Sequence, residues 1–182
     1  FNECDLVPNI LNSVGEPDLK TEVFGTKMDM PIFLSPTAMQ SLYHPDGDKA
    51  SARAAEKFGT IYSMSTMASF SIEEISNLSS GPKIFQLYIH KDQSITDDLI
   101  DRCKRANFNG MCITVDTIVA GNRERDHRTG FTTPPKFTLD SLMSFAMRPQ
   151  WVFNYFTNKK FELANLKDKV EKGTNIAQSV MG

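Results

Sequence analysis

Three pairs of polar residues, each two apart, are the places where this sequence could do chemistry: Ser63 and Ser65, Gln86 and Tyr88, Thr114 and Asp116. Each pair sits at the end of a short apolar run, in "TIYSMST" (60–66), "PKIFQLYIH" (82–90) and "GMCITVD" (110–116). Side chains alternate along a strand, so a spacing of two puts both members of a pair on one face. Phe85, Leu87, Ile113 and Val115 then point to the opposite, helix-covered side. A fourth run, "MPIFLSPTA" (30–38), ends in Ser35, Pro36, Thr37 and Ala38. Buried hydroxyls, an amide and a carboxylate need partners, because leaving one unpaired costs about 1–3 kcal/mol. They pair with one another and with water, or they meet a polar planar ligand with donors and acceptors around its rim. Three pairs aimed the same way, at the same end, favour the ligand.

The elements that position these pairs follow a strand–turn–helix repeat. The helices expected between the runs are "DGDKASARAAEKFG" (46–59), "SIEEISNL" (71–78) and "ITDDLIDRCKRANF" (95–108). In the first, Ala52, Ala55 and Phe58 share a face and Gly59 is the stop. In the second, Ser71 and Glu74 have capping-box spacing. In the third, acids come early and bases late, as the helix dipole prefers. Four strands thus alternate with three helices, in steps the size of one βα unit. Apolar runs of this kind suit a parallel sheet buried on both faces. A doubly wound sheet or a (β/α)8 barrel fits. No G-x-G-x-x-G follows the first strand, which weakens the dinucleotide fold. The α/β class is therefore expected as a TIM barrel with about its first four βα units present.

Composition narrows the function classes. The net charge is −2 with no long basic stripe, so general nucleic-acid binding has little support and none is expected. Cys4, Cys103 and Cys112 are far apart, which argues for reduced thiols, a cytosolic setting and no metal site. Cys112 reads as a core residue. No apolar run reaches the roughly 18 residues of a membrane span. The chain starts at Phe1 and stops in "IAQSVMG", so a fragment is expected. The histidines His44, His90 and His127 read as surface or structural positions, and Arg125 and Arg128 as a solvated loop face paired with Glu124 and Asp126.

Several separated motifs make the sequence recognisable. "SPTAMQSLYHPDGDKASARAAEKFGTIYSMSTMAS", "FQLYIHKD" and "TVDTIVAGNRERDHRTGF" resemble the FMN-dependent α-hydroxy-acid oxidases and dehydrogenases from about Pro31 to Phe131. The likeness continues more loosely through "FAMRPQWVFNYF", which looks most like the bacterial L-lactate dehydrogenase branch linked to cytochrome or quinone. The resemblance implies FMN as cofactor and oxidation of an L-2-hydroxy acid, L-lactate foremost, to the 2-keto acid. It places Pro36, Thr37 and Ala38 along the flavin, and Ser65, Gln86 and Thr114 in hydrogen bonds to it. It gives Tyr88 the reacting end of the substrate, Arg123 the substrate carboxylate, and Asp116 a catalytic histidine. A guanidinium fork fits a carboxylate bidentately, and a carboxylate beside a histidine raises its proton affinity.

The family's His-Gly-Gly-Arg stretch, fifth-strand lysine and phosphate-binding glycines are absent from these 182 residues. The 182-residue chain alone is therefore expected to turn over negligibly. Residues 30–131 read as βα units 1–4, 132–166 as a lid or membrane-contacting segment, and 167–182 as a charged linker toward a missing half. Apolar and aromatic residues at 139–156, with Lys159 and Lys160 after them, suit peripheral membrane contact, on the inner face of the plasma membrane for a cytoplasmic protein. The electron acceptor is open among quinone, cytochrome and oxygen, and the whole protein is expected to be a homo-oligomer. Two other readings are a non-catalytic half-barrel remnant and a related FMN barrel such as a type 2 isopentenyl isomerase. The Tyr88, Asp116 and Arg123 set argues against the isomerase.

Overall fold

The computed structural model describes residues 5, 7–11, 13, 15–116, 122, 124–129, 139–158 and 162–167. It opens with an antiparallel hairpin of β1 (Thr21–Val23) and β2 (Thr26–Met28). Phe24 and Gly25 turn it at φ of 51° and 71°. Two positive φ values in a row give the tight turn whose twist suits a hairpin. Met28 is buried and receives the Thr60 hydroxyl at 4.0 Å.

A three-stranded parallel sheet follows, ordered β3 (Tyr62–Ser65), β4 (Lys83–Tyr88) and β5 (Gly110–Thr114). The expected first strand is reduced to one bridge, Leu34 beside Tyr62. Its hydrogen bonds are Leu34 N–H to the Ile61 carbonyl at 3.1 Å and Ser63 N–H to the Leu34 carbonyl at 3.2 Å. Pro31 and Pro36 flank it. A proline has no N–H to give a ladder, so the pairing stays short.

Helices α1 (Gly47–Lys57), α2 (Ile72–Leu78) and α3 (Gln93–Arg105) connect the strands. Both halves of the Ser71/Glu74 capping box form, at 3.1 and 3.0 Å. Helix α3 starts earlier than its periodicity suggests because Asp92 caps it, accepting from the Ser94 N–H at 2.9 Å. Its first turn then holds no acid, while Arg102, Lys104 and Arg105 fill the last. Ala52 and Ala55 are buried as expected, but Phe58 is 55% exposed. The backbone leaves the helix there, with Gly59 at φ 59°. A Cβ on Gly59 would lie 2.0 Å from an Asp29 carboxylate oxygen, so only glycine fits this stop.

The core sits between the sheet and these helices. Tyr62, Met64, Phe85 and Leu87 meet Ala52, Ile72, Ile75 and Leu99 there. The chain then forms α4 (Glu124–Thr129), α5 (Leu139–Ala146) and α6 (Pro149–Thr157). The 132–166 segment does more than cover the surface. Leu166 joins the core, and the buried Asn165 accepts from the Ile72 N–H at 3.1 Å and from Arg102 at 3.0 Å. Trp151 stacks between Phe145 and Tyr155, with ring centroids 5.3 and 5.2 Å away. Its indole N–H donates to the Leu42 carbonyl at 2.7 Å. Among the described residues, no helix is long and apolar enough to cross a membrane.

Candidate functional site

The strand ends assemble as the spacing demands. In the register, Ser65 lies beside Gln86, and Tyr88 beside Thr114. Parallel neighbours point the same way, so these four share one face. Ser65 Oγ donates to Gln86 Oε1 at 3.2 Å, and Gln86 Nε2 donates to Thr114 Oγ1 at 2.7 Å. A single amide thus bridges three strands. Gln86 is only 5% exposed, yet Thr114 at its far end is half-buried. The line runs from the interior to an accessible rim.

Two backbone knots brace that line. The Thr66 hydroxyl donates to the Gln86 carbonyl at 2.6 Å and accepts from the Tyr88 N–H at 3.1 Å. Thr66 had no signal in the sequence beyond being polar. It locks the ends of β3 and β4 together, so Gln86 and Tyr88 are set by the sheet rather than by a loop.

Pro36, Thr37 and Ala38 follow the Leu34 bridge at the same end of the sheet. Three contacts hold this turn. The Met39 N–H reaches the Met67 carbonyl at 3.0 Å, beside the end of β3. Gln40 Nε2 donates to the Thr37 carbonyl at 3.3 Å, and Gln40 Oε1 accepts from Ser51 Oγ on α1 at 2.6 Å. Pro36 and Thr37 are exposed, and Ala38 is half-buried.

Tyr88 is half-buried, and Asp116, two residues past β5, is exposed. Arg123 lies outside the described residues, as does the side chain of His127. His44 is exposed and accepts from the Asp46 N–H at 3.2 Å, while His90 is buried under the start of α3 with its N–H on Thr96 at 3.0 Å.

The expectation for Cys112 fails. It is exposed, on the same face as its neighbour Gln86 in the register. Ile113 and Val115 take the opposite parity as expected, but are 53% and 78% exposed. No strand pairs with the outer edge of β5 among the described residues, so a residue type suited to a core meets solvent. Cys103 is the buried thiol, and burial pushes it up to about 12. A cavity of about 160 Å³ lies elsewhere, between the turn at Ser41–Asp46 and α6, lined by Trp151, Asn154 and Tyr155. None of Ser65, Gln86, Tyr88 or Thr114 lines it.

The chain matches the model of the FMN-dependent dehydrogenase family over residues 1–180. It belongs to that family. Glycolate oxidase 1 of Zea mays is 45% identical over 142 residues, which is 78% of this chain and 38% of that one. Among solved structures, the monotopic membrane protein (S)-mandelate dehydrogenase superposes with a TM-score of 0.83 at 29% identity, covering 95% of this chain and 44% of that one. A mandelate oxidase variant with (S)-mandelic acid gives 0.66 at 34% identity, over 70% of this chain and 38% of that one. The chain therefore spans less than half the length of these relatives.

FMN is the family's cofactor, and the donor set suits a flavin. Gln86 offers a donor and an acceptor along the sheet, and the Ser65 and Thr114 hydroxyls flank it, each able to give or accept. The rim of an isoalloxazine alternates in the same sense. The turn Pro36–Ala38, with Pro36 and Thr37 exposed, borders the same end of the sheet.

Proposed function

We propose that this chain is the first part of a (β/α)8 barrel enzyme that oxidises an L-2-hydroxy acid to the 2-keto acid with FMN. Residues 30–131 supply βα units 1–4, 132–166 cover the strand ends and meet the membrane, and 167–182 lead toward the rest of the barrel. The single observation that carries this reading is the Ser65–Gln86–Thr114 line across three parallel strands, at the end of the sheet where barrel chemistry collects. Family membership supports it.

In this reading Ser65, Gln86 and Thr114 exchange their mutual hydrogen bonds for bonds to the flavin, and Pro36, Thr37 and Ala38 lie along it. Bound FMN supplies the two-electron acceptance. Arg123 grips the substrate carboxylate through its planar fork. Tyr88 donates to the oxygen at the reacting carbon. Asp116 orients a histidine that takes the hydroxyl proton, and holds it as imidazolium. That histidine comes from outside these 182 residues, so the chain alone turns over negligibly. L-Lactate is the favoured substrate. Relatives solved or characterised as glycolate and mandelate enzymes support the reaction class.

The second half of the proposal is a membrane-surface location, at the inner face of the plasma membrane, with a quinone or cytochrome as acceptor ahead of oxygen and a homo-oligomeric whole protein. Leu139, Leu142, Met143, Met147, Phe153 and Phe156 are between 51% and 82% exposed on α5, α6 and the turn joining them. An apolar cluster of this kind marks an interaction surface, and aromatic residues suit a bilayer interface. The match to a monotopic membrane protein leaves only about nine of 182 residues uncovered, fewer than the twenty of 139–158, so it reaches into these helices.

Arg123→Lys tests the substrate assignment in the whole protein. The KM for the hydroxy acid should rise at least tenfold with FMN content unchanged, because an ammonium cannot reproduce the bidentate fork. Loss of FMN with unchanged KM would show that Arg123 serves the cofactor instead.

A further inference from the structure

Asp48 is a carboxylate with no exposure at all, in the first turn of α1. Nothing in the reaction uses it. Tyr62 Oη at the start of β3 donates to its Oδ1 at 3.0 Å, and the Ser69 N–H in the turn after β3 donates to Oδ2 at 2.9 Å. The helix N-terminus adds a favourable field. Burial still raises its proton affinity above that of an ordinary aspartate. An apolar residue could pack α1 on β3 without that cost. What the carboxylate adds is direction.

The direction leads to the strand-end site. Ser69 Oγ accepts the Ser41 N–H at 3.1 Å. Ser41 lies three residues after Ala38, in the 3-10 turn Gln40–Leu42. One residue before that turn, Met39 sits at φ 56°, a left-handed conformation that a non-glycine residue adopts only when its surroundings hold it. Its N–H is on Met67, two residues after Ser65. The turn that carries Pro36–Ala38 and the turn that follows Ser65 therefore close on each other through Ser69, and Ser69 is fixed by Asp48.

We infer that Asp48, through Ser69, is a positioning residue that sets the Pro36–Ala38 turn against the end of β3 for flavin binding. This rests on the flavin reading of the strand ends. It differs from a core-packing role in what its loss does. Packing loss lowers stability and leaves a folded site intact. Loss of positioning weakens FMN binding in protein that is still folded.

The test is quenching of FMN fluorescence by the whole apo-protein, with far-UV circular dichroism and thermal midpoint read on each variant. Ser69→Ala removes only the hydroxyl that holds Ser41, so it keeps the test decisive where Asp48→Ala fails to fold. Ser69→Ala should raise the FMN dissociation constant by about tenfold with the midpoint little changed. Asp48→Ala should weaken it at least as much. Asp48→Asn should stay within about twofold, because an amide oxygen accepts from Ser69 and an amide N–H donates to Tyr62 Oη. FMN affinity equal to the parent's in Ser69→Ala, with or without a fall in midpoint, overturns the inference alone. A whole parent protein that does not quench FMN overturns the flavin reading and this inference with it.

Discussion

At the residue scale, Arg102 joins three elements outside the site. Its guanidinium makes two 2.7 Å bonds to Glu73 on α2 and one of 3.0 Å to Asn165. Those bonds hold the Glu73 carboxyl down to about 2 against burial. A carboxylate whose folded pKa is depressed contributes stability above its unfolded value, near 4.5, and that contribution is lost as pH falls toward 2. Urea midpoints should therefore drop between those pH values, and the drop should be smaller in Arg102→Met. An identical pH profile in the variant would contradict the pairing. Arg102→Ala at neutral pH should cost about 2 kcal/mol in the same assay, since it also leaves Asn165 short of a donor. None of this was legible in the sequence. Arg102 and Asn165 are 63 residues apart, and Asp48 meets partners 14 and 21 residues away. Polar pairs spaced by two were legible, because strand geometry alone fixes their facing, and Ser65, Gln86 and Thr114 do meet.

At the element scale, local chemistry predicted boundaries where a cap or a stop carries them. The Ser71 box and the Gly59 stop both lie where their residues call for them. Ser71→Ala should cost about 1 kcal/mol in urea unfolding, since Glu74 loses the acceptor for its N–H. A change below a few tenths of a kcal/mol would mean that packing by Ile72 and Ile75 carries the helix start. Periodicity misjudged elements whose ends are set by prolines or by missing neighbours. The 30–38 run is apolar enough for a strand, yet its prolines leave one bridge. Cys112 and Ile113 look like core residues because β5 is apolar, but apolarity does not say whether a neighbour is present. The hairpin at 21–28 escaped notice because its turn is Phe24–Gly25 rather than Asn–Gly. Helices α5 and α6 carry their own prediction. Phe153→Ser with Phe156→Ser should abolish co-sedimentation with vesicles of an anionic phospholipid mixture and leave circular dichroism unchanged. Equal sedimentation of parent and variant would remove the membrane assignment.

At the scale of the molecule, helices α1–α3 cover one face of the sheet, and among the described residues no strand pairs with the outer edge of β5. The hairpin of β1 and β2 sits by the start of β3 through Met28 and Thr60, and residues 162–167 join the core and the start of α2 through Leu166 and Asn165. The outer edge of β5 carries exposed Ile113 and Val115. In the proposed barrel this edge takes the next βα unit, and the chain covers 38% of a glycolate oxidase and 44% of a mandelate dehydrogenase. In the proposed enzyme, the strand-end line of Ser65, Gln86 and Thr114 supplies cofactor contacts from this part, and the base comes from the remainder of the barrel. The most direct test of the account is anaerobic addition of L-lactate to the whole FMN-loaded protein, followed by the visible flavin absorbance. The account predicts loss of that absorbance with L-lactate, retention with D-lactate, and retention for the 182-residue chain alone. Unchanged absorbance of the whole protein with L-lactate and with other L-2-hydroxy acids would contradict it.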